Sequence, residues 1–481
     1  MTRMGQRAVV VGASMSGLLA ARVLTESFDR VTVVERDDPP SEIAPRRGVP
    51  QGRHPHGLLA RGREVLEELF PGLTQELVRH GAATGDMQRD VRWYNDGHLL
   101  CQSPIGMQGV AMSRPLLEDR VRARVLALPG VELVAPAQLA DLVAAGGRVS
   151  GVRVRHGVTT AGSPEEDLPA DLVVDATGRG SHTPSWLESH GFDRPRESRI
   201  DVDLRYTTWI LPRYDDDLDG DLGCLVGATV ARPRFGAALA IEGKRWMVAA
   251  GGYHQDIAPS DLAGFRTFAA GLPAPEIAQL LVSREPVDGP RAYHFVSSTR
   301  RHYERLTQFP DGLLVIGDAL SSFNPVYGQG ITVAALEALV LRDLLTKRTG
   351  DLARQFFCRA AGLIDVPWDI AAGSDLRIRS VPGPRPVRVR LVNAYVARVQ
   401  AAAAVAPDVG AAFLRVANLI DPPQSLLGPR LGAKVLMARR RAAPVGPPAA
   451  DRRGSVRGVP RPRELPFGDS VDADHPLSGQ A

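Results

Sequence analysis

The chain has 481 residues, with 58 basic side chains against 54 acidic ones, a formal net charge of +4, and 44% hydrophobic and 23% charged residues. That length is too great for one small core and predicts two structural units with accessories, while the composition excludes a disordered or collagen-like polymer. The near balance of charge leaves no overall field for gripping nucleic acid, so no nucleic-acid partner is expected.

Residues 7–11 form a short β-branched run that ends at Gly12, after which Leu18, Leu19, Val23 and Leu24 recur at helical spacing. A second apolar run at 31–34 ends in Glu35. Strand, glycine turn, helix and strand in this order make the first βαβ unit of a dinucleotide-binding fold. Arg3 and Arg7 ahead of an apolar run imitate a secretion signal, but acidic turns and a second strand follow where a cleavage site would stand. The stretch 36–56, rich in Pro, Arg and Gly, reads as a loop, and a helix near 58–69 stops at Pro71-Gly72. A helix over 115–128 carries Leu117, Val121 and Val125 on one face, and 131–133, 149–154 and 172–174 read as strands.

From Asp201 the pattern changes: 201–211, 222–230, 237–242 and 245–251 are strand-like at short intervals, which predicts an antiparallel sheet. Helices over 260–270 and 276–282 precede a last strand, 313–316, in the style of the first unit, so the nucleotide unit is discontinuous. Further helices are predicted at 331–347, 352–372, 386–405 and 409–419. Beyond Arg441 almost no apolar residue remains, and such a segment cannot bury enough surface to order itself. No window reaches the roughly 18 uninterrupted apolar residues of a membrane span. The basic run Arg439 to Arg441 after Leu436 and Met437 allows at most a peripheral membrane contact. Cys101, Cys224 and Cys358 are odd in number and far apart, which argues against a disulfide framework and for a reducing cytoplasm.

Gly12-Ala13-Ser14-Met15-Ser16-Gly17 fits the dinucleotide fingerprint with one departure, Ser14 in place of the middle glycine. Gly12 permits the tight turn, Gly17 permits close helix packing, and the helix start offers free N–H groups to a diphosphate. Glu35 can accept hydrogen bonds from an adenosine ribose, with Arg36 beside it. A second signal, Gly317-Asp318-Ala319 followed by Asn324-Pro325-Val326-Tyr327-Gly328-Gln329-Gly330 and a helix, selects the dinucleotide. Asp318 is a carboxylate at a strand end, suited to a ribityl hydroxyl, and a helix N-terminus opened by Gly328 and Gly330 would stabilise the negative charge of a reduced flavin ring. NAD has no ribityl chain, so the cofactor expected is FAD. His54 and His56 stand two apart without companion ligands, so no metal site is expected.

The spacing of the second signal strongly resembles the second FAD motif of group A flavoprotein monooxygenases, the p-hydroxybenzoate hydroxylase fold. Asp175-Ala176-Thr177-Gly178-Arg179-Gly180-Ser181 resembles the middle motif of that superfamily, which lies by the cofactor and is implicated in NAD(P)H contact. The resemblance also implies that Arg114 reaches toward the flavin and that Arg46 or Arg47 contacts the adenosine side, with Arg47 taken into the cofactor set. Asn324, Pro325 and Gly328 would form the catalytic environment of the flavin ring and peroxide. The words Arg47-Gly48-Val49-Pro50-Gln51, His56 to Leu59 and Ser322 to Gly330 most resemble actinomycete epoxidases similar to squalene epoxidase. No Trp-x-Trp-x-Ile-Pro is present, which counts against a flavin halogenase.

The fold expected is therefore α/β. A Rossmann-like FAD-binding domain would comprise 1–185 and 301–345, an antiparallel-sheet substrate domain 186–300 with 85–105 a candidate to join it, a C-terminal helical region 346–441, and a disordered tail 442–481. The resemblance implies a FAD-dependent monooxygenase that epoxidises, or hydroxylates, a lipophilic polyene or polyketide-type precursor through a C4a-hydroperoxyflavin, with O2 as co-substrate. Only one dinucleotide fingerprint is present, so electrons would come from transiently bound NAD(P)H or from a separate flavin reductase. Alternatives are an alkene reductase similar to geranylgeranyl reductase, an aromatic hydroxylase, and a FAD-bound carrier without turnover. No obvious catalytic base accompanies the motifs, which favours an alkene over a phenol as substrate, unless His98, His254 or His294 supplies one.

Overall fold

The computed structural model describes residues 4–157, 164–348 and 350–438, so the predicted tail 442–481 and the run Arg439 to Arg441 lie outside the described residues. Five parallel strands form the first layer, in the order Leu313–Val315, Leu172–Asp175, Gly5–Val11, Phe28–Val34, Val131–Val134. The register sets Val10 opposite Val33 on one side and Val174 on the other. A parallel pair needs a crossover, and the helix Met15–Leu24 supplies it with Leu18, Leu19, Val23 and Leu24 completely buried, as their spacing predicts. This helix packs against Gly330–Lys347 and Arg114–Leu126.

The second sheet has eight strands, in the order Ser321–Ser322, Asp288–Arg301, Glu197–Pro212, Arg245–Tyr253, Arg234–Ile241, Gly223–Val226, Val91–Asn95, His98–Leu99. It is mixed where an antiparallel sheet was expected, because Val91–Asn95 enters beside Gly223–Val226 in parallel. Alternation along the strands gives the sheet two apolar faces. On one, Val248, Ala250, Trp246 and Cys224 pack under the helices Leu262–Ala270 and Glu276–Ser283. On the other, Leu204, Tyr206, Phe235, Tyr253 and Phe295 pack with Val326, Leu376, Ile378 and Val381, so this face meets the turn after Asn324.

The helices Leu352–Asp375, Val387–Ala403 and Pro407–Ala417 follow the predicted ranges closely. The sequence pattern misses the helix Pro429–Ala438 and two of the three strands of a small sheet, Ala137–Ala145 and Glu165–Pro169 around Arg148–His156. Among the described residues no helix is long and apolar enough to cross a membrane.

Candidate active site

The three glycine-bearing turns, far apart in the chain, meet at the ends of the parallel strands. Gly12 has φ +105°, and a Cβ there would stand 2.6 Å from the Ala176 carbonyl oxygen. A Cβ on Gly17 would stand 1.8 Å from the Gly12 oxygen, so only glycine lets the helix start press onto the turn. A Cβ on Gly317 would lie 2.6 Å from Ser16 Cβ, and one on Gly178 would lie 3.9 Å from Asp318 Cβ. Ser14, the departure from the fingerprint, is extended at φ −87° and ψ −178°, a conformation open to any residue. Its hydroxyl accepts a 2.9 Å hydrogen bond from Arg114.

Two helix N-termini open at this convergence. Neither Met15–Leu24 nor Gly330–Lys347 has a side chain capping its first turn, so their leading N–H groups and positive dipole ends stay available. Gln329 is buried with Oε1 unpartnered, and the buried Thr332 hydroxyl also lacks a partner, among the described residues. Asp318 is half-buried beside Gly330, whose Cβ would stand 3.8 Å from its Oδ1. Burial pushes the Asp318 carboxyl above its ordinary range against the opposing pull of Arg114 and Arg179. An unspent carboxylate and two open helix starts suit the ribityl, diphosphate and ring groups of FAD. Asp318→Ala should weaken FAD binding by about 1 to 3 kcal/mol, roughly 5- to 150-fold. Flavin titration of the purified variant checks this, and wild-type affinity would remove Asp318 from the site.

On the expected adenosine side a buried ion cluster forms. Glu35 is 7% exposed. Its Oε2 accepts from Ala13 N at 2.8 Å and pairs with Arg46 at 2.9 Å, while Oε1 accepts from Asp37 N at 3.0 Å. Arg46 also pairs with Glu118 at 2.5 Å. Arg47, the residue expected there, points outward and is exposed, because the loop turns its neighbour toward the two carboxylates. Arg36 is likewise exposed.

Asp175 is buried, and both carboxylate oxygens accept hydrogen bonds within its own loop. Oδ1 accepts from Thr177 N and Oγ1 at 2.9 and 2.6 Å, and Oδ2 from the hydroxyls of Ser181 and Thr183 at 2.5 and 2.6 Å. Through these bonds Asp175 shapes the middle motif.

Two buried carboxylates escape the sequence reading. Glu337 accepts from Gly317 N at 2.7 Å, and burial pushes its carboxyl up to about 8. Asp375, at the end of Leu352–Asp375, is 0% exposed and touches the expected catalytic turn. Its Oδ1 accepts from Asn324 Nδ2 at 2.8 Å, Tyr327 OH at 2.8 Å and Tyr253 OH at 3.0 Å. Asn324 is fully buried, and its Oδ1 accepts from Val326 N at 3.1 Å, which shapes the single turn Pro325–Tyr327 ahead of Gly328.

The loop histidines are each held by hydrogen bonds. His54 Nδ1 meets Thr208 Oγ1 at 2.8 Å with its ring against Tyr206 and Tyr293, and His56 meets the His54 carbonyl at 2.9 Å and Arg114 at 3.3 Å. Burial, helped by Arg53, lowers His54 to about 4, and burial with Arg114 lowers His56 to about 3, so both rings are neutral near pH 7. His294 bonds Asp203 at 2.6 Å, and its strand neighbour Tyr293 faces His54, so His294 projects from the opposite face of the sheet. A cavity of about 330 Å³ opens between Arg205, Thr207, Ile257, Ser260 and His294, with Tyr206 and Tyr293 also in its lining.

The fold is the one shared by FAD-binding monooxygenases. The solved structure of the flavin-dependent brominase Bmp2 superposes with a TM-score of 0.63 over 91% of this chain and 98% of that one, at 14% identity. That of PqsL from P. aeruginosa, in complex with 2-aminobenzoylacetate, gives 0.58 over 78% and 97%, at 16% identity. Kynurenine 3-monooxygenase of Salinispora tropica is 27% identical over 360 residues, 72% of this chain and 74% of its own. Protein Rv3254 of Mycobacterium tuberculosis is 33% identical over 428 residues, 86% of this chain and 90% of its own. The chain belongs to the family of Protein Rv3254 and is an enzyme. No protein-family model matches it.

Proposed function

We propose that the protein binds FAD across the three turns and inserts one atom of O2 into a lipophilic natural-product precursor, forming an epoxide or a hydroxyl. In this reading 1–185 and 301–345 hold the cofactor, while 186–300 together with 85–105 cover the substrate. The observation that carries it is the juxtaposition of two open helix N-termini and an unspent Asp318 with a sheet face of Leu204, Tyr206, Phe235, Tyr253 and Phe295. When bound and reduced, FAD activates O2 and supplies an electrophilic oxygen. The chain's own part is to fix the ring through Asn324, Pro325 and Gly328, to present N–H donors, and to exclude water with the aromatic face. His54 and His56 are held neutral, and His294 faces away. Lowered to about 4 and about 3, His54 and His56 are weak bases, which supports an alkene, a substrate that needs no deprotonation. Aromatic hydroxylation is the second reading, favoured by the likeness to kynurenine 3-monooxygenase.

Turnover under 18O2, with NAD(P)H or a flavin reductase and an alkene-bearing lipophile, should place one labelled oxygen atom in the product. A product that gains hydrogen without oxygen would establish an alkene reductase instead, and a product whose new oxygen carries no label would exclude oxygen transfer from O2.

A further inference from the structure

We propose that Asp375 is a positioning residue for the flavin-facing turn Asn324 to Gly328, gripping it as a carboxylate, so that flavin affinity depends on the charge of a residue in the C-terminal helical region. The inference rests on the reading of this site as a FAD site.

Three donors from two separate elements converge on one oxygen: Asn324 Nδ2 and Tyr327 OH from the turn, and Tyr253 OH from the strand Arg245–Tyr253. Asn324 Nδ2 also reaches Tyr253 OH at 3.2 Å, which closes the group into a ring of contacts. The other oxygen, Oδ2, is buried and has no partner among the described residues. An anionic Oδ1 is the acceptor that holds three donors at this range. Once protonated, the acid keeps a weaker acceptor and must carry its proton on an oxygen with nothing to receive it.

Among the described residues no cation pairs with Asp375. Arg385, just beyond the helix, donates to the carbonyls of Leu376, Ile378 and Val381, and Arg377 pairs with Asp96 at 2.8 Å. The neighbouring strands contribute Tyr206 and Tyr293, whose hydroxyls burial pushes up, and the far side of the turn contributes Asp318 and Glu337. Burial raises Asp375 to about 6, against the hydrogen bonds from Tyr327, Asn324 and Tyr253 that hold it down. The grip therefore changes state between pH 5 and 7, where His54 and His56 stay neutral and Glu337 stays protonated.

The test is a titration of FAD into apoprotein at pH 5, 6, 7 and 8 for the wild type, Asp375→Asn, Asp375→Ala and Tyr253→Phe. Wild-type affinity should fall about tenfold from pH 7 to pH 5, the ratio of ionised Asp375 at the two values. Asp375→Asn should flatten the profile over that window, and Tyr253→Phe should weaken binding while keeping the step. Asp375→Ala should be flat and weakest. If it does not fold, Asp375→Asn decides alone. A second readout needs no flavin. Because the folded carboxyl titrates above its ordinary 3.8, ionisation costs the folded state stability that accumulates as pH rises from about 3.8 to 6. Asp375→Asn should therefore gain melting temperature relative to wild type from pH 4 to pH 8. A wild-type pH step that survives in Asp375→Asn, or a flat wild-type profile, overturns the grip while leaving the FAD site intact. A wild type that binds no FAD at any pH overturns the site reading itself, and the grip with it.

Discussion

Gly12→Val is expected to yield protein without flavin and with a markedly lower melting temperature. The substitution forces a β-branched residue to φ +105°, a strain of about 1 to 3 kcal/mol even for tolerant side chains. Its Cβ would also stand 2.6 Å from the Ala176 carbonyl oxygen. That carbonyl cannot retreat cheaply: Ala176 N donates to Val11 O at 2.9 Å, and the adjoining Asp175 is locked by four hydrogen bonds. The turn itself must move, by the face proposed to meet the diphosphate. Flavin absorbance per protein and thermal melts measure both effects, with Gly12→Ala expected to lie between. Stoichiometric FAD at wild-type affinity in Gly12→Val would show that this turn does not contact the cofactor.

Arg46→Ala should destabilise the protein by about 3 to 5 kcal/mol, since it leaves two buried carboxylates facing each other without their shared cation. Glu35 loses its 2.9 Å partner and Glu118 its 2.5 Å one, although Arg122 still reaches Glu118 at 2.9 Å. Arg46→Lys keeps the charge but not the two-pronged donor, so it should recover only part of the loss. The neighbouring Arg47→Ala should stay within about 0.5 kcal/mol of wild type. Urea denaturation of the three variants decides the matter. Equal effects at 46 and 47 would mean that the buried pair contributes nothing net.

What the sequence carried plainly was whatever rests on neighbours in the chain. The glycine turn after Gly5–Val11, the buried stripe of Met15–Leu24 and the motif ahead of Gly330–Lys347 are local patterns, and they led to the fold and to Asp318. What it hid depends on residues far apart. Arg46 and Arg47 are alike as letters, and only the fold decides which meets Glu118. Asp375 ends an ordinary amphipathic helix, and its partners Tyr253 and Asn324 come from other parts of the chain, so no spacing announces them. The strand Asp288–Arg301 was missed because its inward positions mix Tyr293 and Phe295 with Ser297 and flank a Gly289-Pro290 pair, which blurs the alternation.

The strand order of the parallel sheet bears on how the protein is made. Gly5–Val11 leaves the ribosome early with Phe28–Val34 to pair with, but its other edge waits for Leu172–Asp175, which in turn waits for Leu313–Val315. At synthesis rates of roughly 5 to 20 residues per second, the last motif, ending at Gly330, emerges about 17 to 66 s after the first residue. Through that interval the nascent chain displays an open, apolar strand edge of the kind that recruits other chains. Slow, strand-by-strand closure of distant segments also sets a high contact order and a slow final docking step. On the proposed reading the flavin site is complete only near the end, when all three turns exist together.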